Sequence, residues 1–211
     1  MNGKTISVIV PAYNIAPWIS RSLDSLLAQS HGDLEIVVVD DGSSDNIREI
    51  LEGYCEKYPN IKAIYKENGG LYTGYNKAIE VMDTELSICI DSDDSMPHDG
   101  IERILKIWKE RKDPNVAGLI GLDYDEQGKL IGTLLPEEDS INAASLLCVP
   151  GIGDKKYVMC NALWRTIGQM PVFEGEKNFN PHYFVIKLSS KYRFKPVNQC
   201  FCIVDYQPDG M

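Results

Sequence analysis

The sequence predicts an α/β fold: a mainly parallel, Rossmann-like sheet flanked by helices, with a smaller irregular region after it. The first half alternates short runs of Val and Ile with stretches whose apolar residues recur three and four positions apart. Chains that alternate strand and helix in this way form parallel sheets with right-handed crossovers. Past residue 112 this alternation fades. We therefore expect one domain over 1–211, with a ligand-binding half over 1–112 and a second half over 113–211 shaped for another substrate.

The elements of the first half follow from these runs. Each predicted strand ends at a polar loop, and each predicted helix has one apolar face. Ser44 or Asp45 is the expected N-cap of the second helix. The predicted strands cover 6–10, 35–39, 61–65 and 85–90, and the predicted helices begin near 17, 47, 71 and 101.

The second half is expected to be a patchwork of shorter elements. A hairpin turn is predicted at 126–129 and a Gly-rich turn at 150–153. The predicted strands are 116–122, a run near 157–162 and another near 192–196, and the predicted helical pieces are 140–148 and 183–189.

Composition excludes several classes of function. The net charge of −10 argues against a nucleic-acid partner, which needs a basic face, and disfavours unaided binding of an anionic substrate. No apolar run reaches the length of a membrane helix, and the N-terminus lacks the apolar core of a signal peptide. The six cysteines show no C-x-x-C spacing and lie mostly in apolar runs, which favours buried, reduced thiols in a cytoplasmic protein over disulfides or a zinc site.

The strongest functional signal is an acidic cluster at the end of the fourth predicted strand. The run 87–90 leads directly into Asp91, Ser92, Asp93 and Asp94. Open α/β sheets bind ligands at the carboxyl ends of their strands, and carboxylates crowded there repel each other unless a cation, a proton or water relieves them. Mg²⁺ or Mn²⁺ is the simplest relief and usually accompanies a phosphate. The alternative is a solvated turn whose acids cap the next helix.

Two further loops are expected at the same edge of the sheet. The loop Pro11-Ala12-Tyr13-Asn14 offers a small residue, which admits a ligand, and an aromatic ring that can stack on a base. Asp40 and Asp41 follow the second strand, where one carboxylate can bond a base while the other braces the turn. Turn chemistry alone explains either loop equally well.

Phosphate-binding motifs are missing from the chain. Neither G-x-G-x-x-G nor G-x-x-x-x-G-K-[ST] occurs, so a diphosphate would have to be held through a metal. Asn68-Gly69-Gly70 precedes the third helix, whose N-terminus favours an anion, but a Gly-rich turn with an Asn cap explains it equally well. Asn76, inside that helix, is expected either in the cleft or at the surface.

Together these motifs resemble those of the family 2 glycosyltransferases, which are inverting enzymes with the GT-A fold. Four segments of the first 110 residues agree with the family in order and spacing, and the segment 204–211 is similar to the end of the family's catalytic region. The four segments are Val8 to Asn14, Val37 to Asp45, Asn68-Gly69-Gly70 with Asn76, and Asp91 to Asp94 with Pro97.

The resemblance implies a donor site for a nucleotide diphosphate sugar, expected to be a UDP-sugar. It implies that Asp41 bonds the base, that Asp93 contacts the ribose or the metal, and that Asp94 ligates the Mn²⁺ or Mg²⁺ bridging the diphosphate. The metal ligands implied are Asp93 and Asp94. The donor-binding residues implied are Pro11, Ala12, Tyr13, Asn14, Asp41, Asn68, Gly70, Asn76, Asp91, Ser92 and Asp93.

Two departures from the family pattern bear on catalysis. Tyr75 stands where members often carry an Arg just before the residue that matches Asn76. The acidic residue that usually serves as general base is replaced by Asn180-Pro181-His182. Inversion needs a group that takes the proton of the acceptor hydroxyl, so the candidate catalytic residues are Glu174, Glu176 and His182. For all three, the alternative is a surface loop position.

The expected activity is metal-assisted, inverting transfer of a sugar to a saccharide or lipid-linked glycan acceptor at the inner face of the membrane, as part of polysaccharide biosynthesis. Peripheral membrane association and a homodimer are left open. The main alternative is a catalytically degenerate sugar-nucleotide-binding relative. A sugar nucleotidyltransferase would need a Gly-rich, Arg-containing loop after the first strand, and a receiver domain is much shorter.

Overall fold

A computed structural model describes residues 5–113 and 115–205. In these residues seven strands form one sheet and seven helices pack around it. The strands are β1 (Ile6–Ala12), β2 (Leu34–Asp40), β3 (Ile61–Tyr65), β4 (Leu86–Cys89), β5 (Val116–Asp125), β6 (Lys155–Cys160) and β7 (Arg193–Val204). The helices are α1 (Ala16–Leu27), α2 (Ile47–Lys57), α3 (Leu71–Val81), α4 (Gly100–Lys109), α5 (Ala143–Leu146), α6 (Asn161–Thr166) and α7 (Tyr183–Ser189).

The sheet has the strand order β3-β2-β1-β4-β6-β5-β7. Strands β1 to β4 are parallel to one another, and β7 is parallel to β5. Only β6 is reversed among the described strands, and it pairs antiparallel with both β4 and β5. The prediction of a mainly parallel sheet is therefore confirmed. Because β6 runs the other way, its first residues lie beside the carboxyl end of β4, where open sheets bind ligands.

Helices cover both faces of the sheet, so its central strands are buried on both sides. All seven residues of β2 are buried, as are six of the seven in β1. One apolar core lies between the sheet and helices α1, α2 and α4, and the other between the sheet and α3, α5, α6 and α7. The loops that follow β1, β2 and β4 are therefore carried by a rigid, buried framework.

The elements predicted for the first half are confirmed, with ends displaced by one or two residues. The largest differences lie in the second half. Strand β7 continues to Val204, well past the predicted end at 196, and its pairing with β5 contains register shifts around Leu122. These irregularities interrupt the alternation by which a strand is recognised. The amphipathic stretch 140–148 forms only the short helix α5.

The six cysteines are unpaired with one another, but only Cys202 is buried. The prediction of buried thiols is wrong for Cys148, which is exposed. Across 5–113 and 115–205, no helix combines the length and apolarity needed to cross a bilayer. Most of the segment 204–211 singled out in the sequence, namely 206–211, lies outside the described residues.

Candidate active site

A cavity of about 440 Å³ at the carboxyl end of β4 is the candidate active site. Part of its lining is aromatic and apolar, formed by Tyr75, Met159, Trp164 and Phe184. A mostly apolar pocket with a few converging polar groups is the usual form of a small-molecule site. The polar groups that line it are Ser87, Asp91, Asp93, Asp94, Asp123, Asp154, Lys155, Lys156, Tyr157, His182 and Asp205.

The acidic loop 91–94 contacts a lysine that β6 supplies. The Nζ atom of Lys156 lies 2.6 Å from Oδ2 of Asp91 and 3.2 Å from Oδ2 of Asp94. Lys156 reaches these carboxylates because Val158, two residues further along β6, pairs with Ile88 near the end of β4. The Lys156 side chain is only 12% exposed, so the cluster has a buried, built-in cation.

Asp94 has internal donors at both carboxylate oxygens. The backbone N–H of Asp205 donates to Oδ1 at 3.2 Å, and the thiol of Cys202 donates to Oδ2 at 3.3 Å, beside the Lys156 ammonium. Cys202 lies in the part of β7 that the sequence did not predict. Asp93 differs from Asp94, since no Lys or Arg side chain forms an ion pair with it anywhere in the described chain.

Burial shapes the ionisation of this cluster. It raises the pKa of Asp93, and the neighbouring Asp94 carboxylate raises that pKa further. It also raises the pKa of Asp94, although the Lys156 ammonium opposes this. For Lys156, burial lowers the pKa, but Asp91 and the other nearby acids outweigh burial and the pKa ends well above its ordinary value. The ammonium is therefore charged at neutral pH.

Asp123, near the end of β5, adds a fully buried carboxylate to the same cavity. Its exposed fraction is 0%, and neither of its oxygens has a hydrogen-bond partner within the described residues. Burial raises the pKa of Asp123 to about 7, against the opposing effect of the Lys156 ammonium. A buried polar group without a partner costs stability unless a proton or a ligand satisfies it.

His182 lines the cavity just before α7. Its Nδ1 lies 3.0 Å from Oδ1 of Asn180, an oxygen that can only accept, so we assign the ring proton to Nδ1 and the lone pair to Nε2. Burial lowers the pKa of His182, with a smaller opposing effect from Asp154. A neutral imidazole with Nε2 as acceptor has the form that a general base requires.

The other two candidate bases lie elsewhere. Glu174 and Glu176 are both exposed, and neither lines the cavity. Glu176 accepts a hydrogen bond from the backbone N–H of Asn178, and its own carbonyl accepts from the Tyr72 hydroxyl at 3.0 Å. Of the three candidates, only His182 therefore lies at the candidate site.

Asp41 has a different environment from the one expected of a base-binding residue. One carboxylate oxygen accepts from Lys66 Nζ and from the Gly69 N–H at 3.0 Å, and the other accepts from the Gly70 N–H at 2.8 Å and Asn68 Nδ2 at 3.2 Å. These four donors use the lone pairs that a carboxylate has. The Asp41 carboxylate therefore occupies the site before α3 where the sequence predicted that an anion such as a phosphate could bind.

The loop after β1 is held to the loop after β2. Oδ1 of Asn14 accepts from the Ser44 N–H at 2.8 Å, while the Asn14 N–H donates to Ser43 Oγ at 2.9 Å. The N-cap of α2 is Asn46 and not the predicted Ser44 or Asp45. Asp45 instead accepts from the backbone N–H groups of Ala16 and Ile47, at the starts of α1 and α2. The neighbouring ring of Tyr13 is 42% exposed and is available for stacking.

Three further residues expected at the donor site are buried in the fold instead. Gly70 has φ +89°, and a Cβ added there would lie 2.0 Å from the Lys177 carbonyl oxygen, so close packing explains the glycine. Asn76 is neither in the cleft nor at the surface, since its amide exchanges two hydrogen bonds with the Met170 backbone. Ser92 is 2% exposed and does not line the cavity.

Lys156, Asp123 and Asp154 were not singled out from the sequence, although all three line the cavity. Two signals were present. Asp123 follows an otherwise apolar run, which is unusual for a charged residue, and two consecutive lysines open a strand in a chain with net charge −10. The pairing of β6 with β4 was needed to place these residues at the acidic loop.

Comparison with known proteins gives consistent results. The sequence model described as glycosyl transferase family 2 matches residues 7–140. The chain is 31% identical over 137 residues to EpsJ of Bacillus subtilis, described as an uncharacterised glycosyltransferase; the match covers 65% of this chain and 39% of EpsJ. It is 36% identical over 126 residues to chondroitin synthase of Pasteurella multocida, covering 60% of this chain and 13% of that protein. The chain thus spans less than half the length of these relatives.

Solved structures share the fold. The TarS fragment 1–349 of S. aureus in complex with UDP has a TM-score of 0.76 and 23% identity, over 97% of this chain and 61% of that one. A mannosyltransferase from Pyrobaculum calidifontis in complex with GDP-Man and Mn²⁺ has a TM-score of 0.69 and 22% identity, over 97% of this chain and 58% of that one. At these identities the likeness shows the fold alone, and it confirms the GT-A architecture.

Proposed function

This chain belongs to glycosyltransferase family 2, and we propose that it transfers a sugar from a nucleotide diphosphate sugar to an acceptor hydroxyl with inversion at the anomeric carbon. The observation that carries the proposal is the cavity itself. The acidic loop 91–94 at the carboxyl end of β4 and the imidazole of His182 line one cavity with an aromatic wall. That combination offers a place for a diphosphate sugar, a proton acceptor and a surface for a sugar ring.

The donor is proposed to lie with its base over the loop Pro11-Ala12-Tyr13 and its sugar in the cavity. The exposed ring of Tyr13 supports stacking on the base. The complexes of TarS with UDP and of the mannosyltransferase with GDP-Man support a nucleotide donor, for which UDP is our first choice. We assign Asp41 to bracing the loop before α3, because its carboxylate already accepts four hydrogen bonds.

The acceptor is proposed to be a saccharide or a lipid-linked glycan, as the similarity to polysaccharide synthases suggests. His182 is proposed as the base: Nε2 takes the proton of the acceptor hydroxyl while its oxygen attacks the anomeric carbon and the nucleoside diphosphate departs with the bonding pair. Asn180 holds the imidazole in the required tautomer. General base catalysis contributes typically about 10²- to 10⁴-fold.

A divalent ion held by both Asp93 and Asp94, as the resemblance implies, does not fit the geometry. Both oxygens of Asp94 already accept from internal donors, and the Lys156 ammonium lies between Asp94 and Asp91. No group of three or more His, Cys, Asp or Glu side chains in the described residues is arranged to hold a metal. We therefore route no step of the reaction through a metal.

The test is release of nucleoside diphosphate from a panel of UDP- and GDP-sugars, with saccharide acceptors, for wild type and for His182→Gln. The variant should lose about 10²-fold or more in turnover while its donor affinity, measured by calorimetry, is unchanged. Turnover of wild type should fall as the pH drops below the pKa of His182, which burial places under its usual 6.5, because the protonated ring cannot accept. The variant should lack this acidic limb.

Glu174→Gln is the matched control, since Glu174 is exposed and lies outside the cavity. It should keep wild-type turnover. If Glu174→Gln loses turnover and His182→Gln does not, the base is wrongly assigned. If wild type binds a donor but turns over none of them, the protein is a sugar-nucleotide-binding relative and not an active transferase.

A further inference from the structure

We propose that Lys156, and not a divalent metal ion, is the resident cation of the acidic loop 91–94, and that the protein binds its nucleoside diphosphate without a metal. The identity of the ligand rests on the proposed function, whereas the identity of the cation rests on the geometry of this chain. The two parts can therefore fail separately.

The first observation is the place of the ammonium. Nζ of Lys156 is 2.6 Å from one carboxylate of the loop and 3.2 Å from another, so it already occupies the space between Asp91 and Asp94. An ion entering there would have to displace it. The Lys156 side chain is 12% exposed, and its backbone is held by antiparallel pairing with Gly121 of β5.

The second observation concerns the coordinating capacity of the loop. Asp94 accepts from the Asp205 N–H and from the Cys202 thiol as well as from Lys156. Oδ2 of Asp94 has no lone pair left for a metal, since each carboxylate oxygen has only two, whereas Oδ1 accepts a single hydrogen bond. Of the three carboxylates of the loop, only that of Asp93 lies outside every ion pair of the described chain. One carboxylate is a weak anchor for a hard cation unless a phosphate adds further ligands.

The third observation is independent of the loop. Asp123 lines the same cavity, is fully buried, and has no hydrogen-bond partner in the described residues. A ligand in the cavity would satisfy this carboxyl group. Lys155 also lines the cavity, but the three N–H groups of its ammonium donate to the backbone carbonyls of Ile131, Ile152 and Asp154. The positive charge offered to a ligand there is that of Lys156.

The ammonium can act on the ligand directly. It has three N–H groups, of which two are directed to Asp91 and Asp94, and Lys156 itself lines the cavity. The third can donate to a phosphoryl oxygen. As the diphosphate leaves, this N–H donates to an oxygen on which negative charge develops, while Asp91 and Asp94 already offset much of the charge of the ammonium.

The first experiment uses Mn²⁺ alone as the probe, so it does not depend on which nucleotide binds. Electron paramagnetic resonance of free Mn²⁺ should show no binding to the wild-type protein below millimolar concentrations. Lys156→Ala should gain at least a tenfold higher affinity for Mn²⁺, because Asp91 and Asp94 are then free to accept it. Micromolar binding of Mn²⁺ to wild type would overturn the proposal.

The second experiment is calorimetric titration of UDP and of GDP into wild type, with EDTA and with Mn²⁺. The dissociation constant of the nucleotide that binds should agree within about twofold between the two conditions. Binding that disappears in EDTA would overturn the metal-free proposal and assign the ion to Asp93 and the diphosphate, while leaving the proposed function intact. If neither nucleotide binds in either condition, both this proposal and the proposed function are wrong.

Variants of Lys156 separate the effect of its charge on nucleotide binding from any effect on the fold. In EDTA, Lys156→Met should weaken nucleotide binding at least tenfold, and Lys156→Arg, which keeps the charge, should stay within about threefold of wild type. Lys62→Met is the matched control, since it removes a lysine paired with a buried acid, Glu35, far along the sheet. It should bind nucleotide as wild type does. Equal losses in Lys156→Met and Lys156→Arg would refute a role for the ammonium, and thermal unfolding of each variant checks the fold.

Discussion

The loops that follow β2 and β4 both begin with acidic residues, and the protein neutralises them in opposite ways. At Asp41, four donors from the segment 66–70 satisfy one carboxylate completely, and that carboxylate does not line the cavity. In the loop 91–94 three carboxylates line the cavity, and a single buried ammonium is shared between two of them. The first loop is complete without a ligand, whereas the second keeps uncompensated negative charge at a cavity.

The difference teaches that acidic residues after a strand do not by themselves indicate a ligand. What decides is the supply of donors from neighbouring elements. Asp41 accepts hydrogen bonds from two backbone N–H groups at the start of α3. The fold already aligns these groups, and they favour an anion. Asp93 is instead partly buried beside the like charge of Asp94, and burial first and Asp94 second raise its pKa and disfavour the ionised form.

The largest effect is expected at Asp41, and its absence would contradict this comparison. Asp41→Asn keeps the shape but leaves at least two of the four donors facing an amide N–H₂, and it removes the partner of the nearly buried Lys66 ammonium. The free energy of unfolding should fall by about 4 kcal/mol. Urea denaturation with an unchanged m-value measures it. A variant as stable as wild type would mean that Asp41 does not hold the loop.

A second, pH-dependent effect is expected at Asp123 on the cavity side. Its pKa is about 7 in the folded protein against 3.8 ordinarily, so the folded state holds a proton there that the unfolded state has lost. The stabilisation is present below about pH 4 and is lost as the pH rises through about 7. Relative to Asp123→Asn, wild type should lose up to about 4 kcal/mol between pH 4 and pH 8.

Urea denaturation of both proteins at several pH values tests this, and only the difference between them counts. If the two curves of stability against pH are parallel, Asp123 is ionised in the folded protein and has a partner. In that case the carboxyl group of Asp123 carries no electrostatic penalty in the cavity.

The smallest effect is expected at Asp93 and sharpens the contrast with Asp41. Asp93→Asn removes a carboxylate whose ionised form burial and Asp94 both disfavour. The free energy of unfolding at pH 7 should change by less than about 1 kcal/mol, and any change should be an increase. The same isosteric replacement is thus costly in one loop and nearly neutral in the other. A loss as large as that of Asp41→Asn would show that Asp93 is structural.

Much of the fold followed from the sequence because the signals were local. The runs of β1 and β2 are buried on both faces, and the apolar stripes of α1 and α4 repeat at helical spacing, so each element was visible within ten or so residues. Strand β7 was cut short because its register shifts against β5 are set by the partner strand and leave no local pattern.

The candidate site was only partly predictable. Asp91, Asp93, Asp94 and His182 were singled out and line one cavity, although their roles remain proposals. Gly70 was assigned to a ligand because a Gly-rich helix start fits anion binding, and Asn76 because of the family resemblance, but here the Lys177 carbonyl and the Met170 backbone explain them. Sequence offered no means to see those partners, which lie about a hundred residues away.

The amino-acid sequence was sufficient to predict the α/β class and to identify the family, because periodicity and short motifs are properties of neighbouring residues. Tertiary structure alone determined which charges meet. The reversal of β6 carries Lys156 to the end of β4, and the extension of β7 carries Cys202 to Asp94. Electrostatic energy depends on distances of a few ångströms between residues far apart in the chain, and only the packed sheet sets those distances.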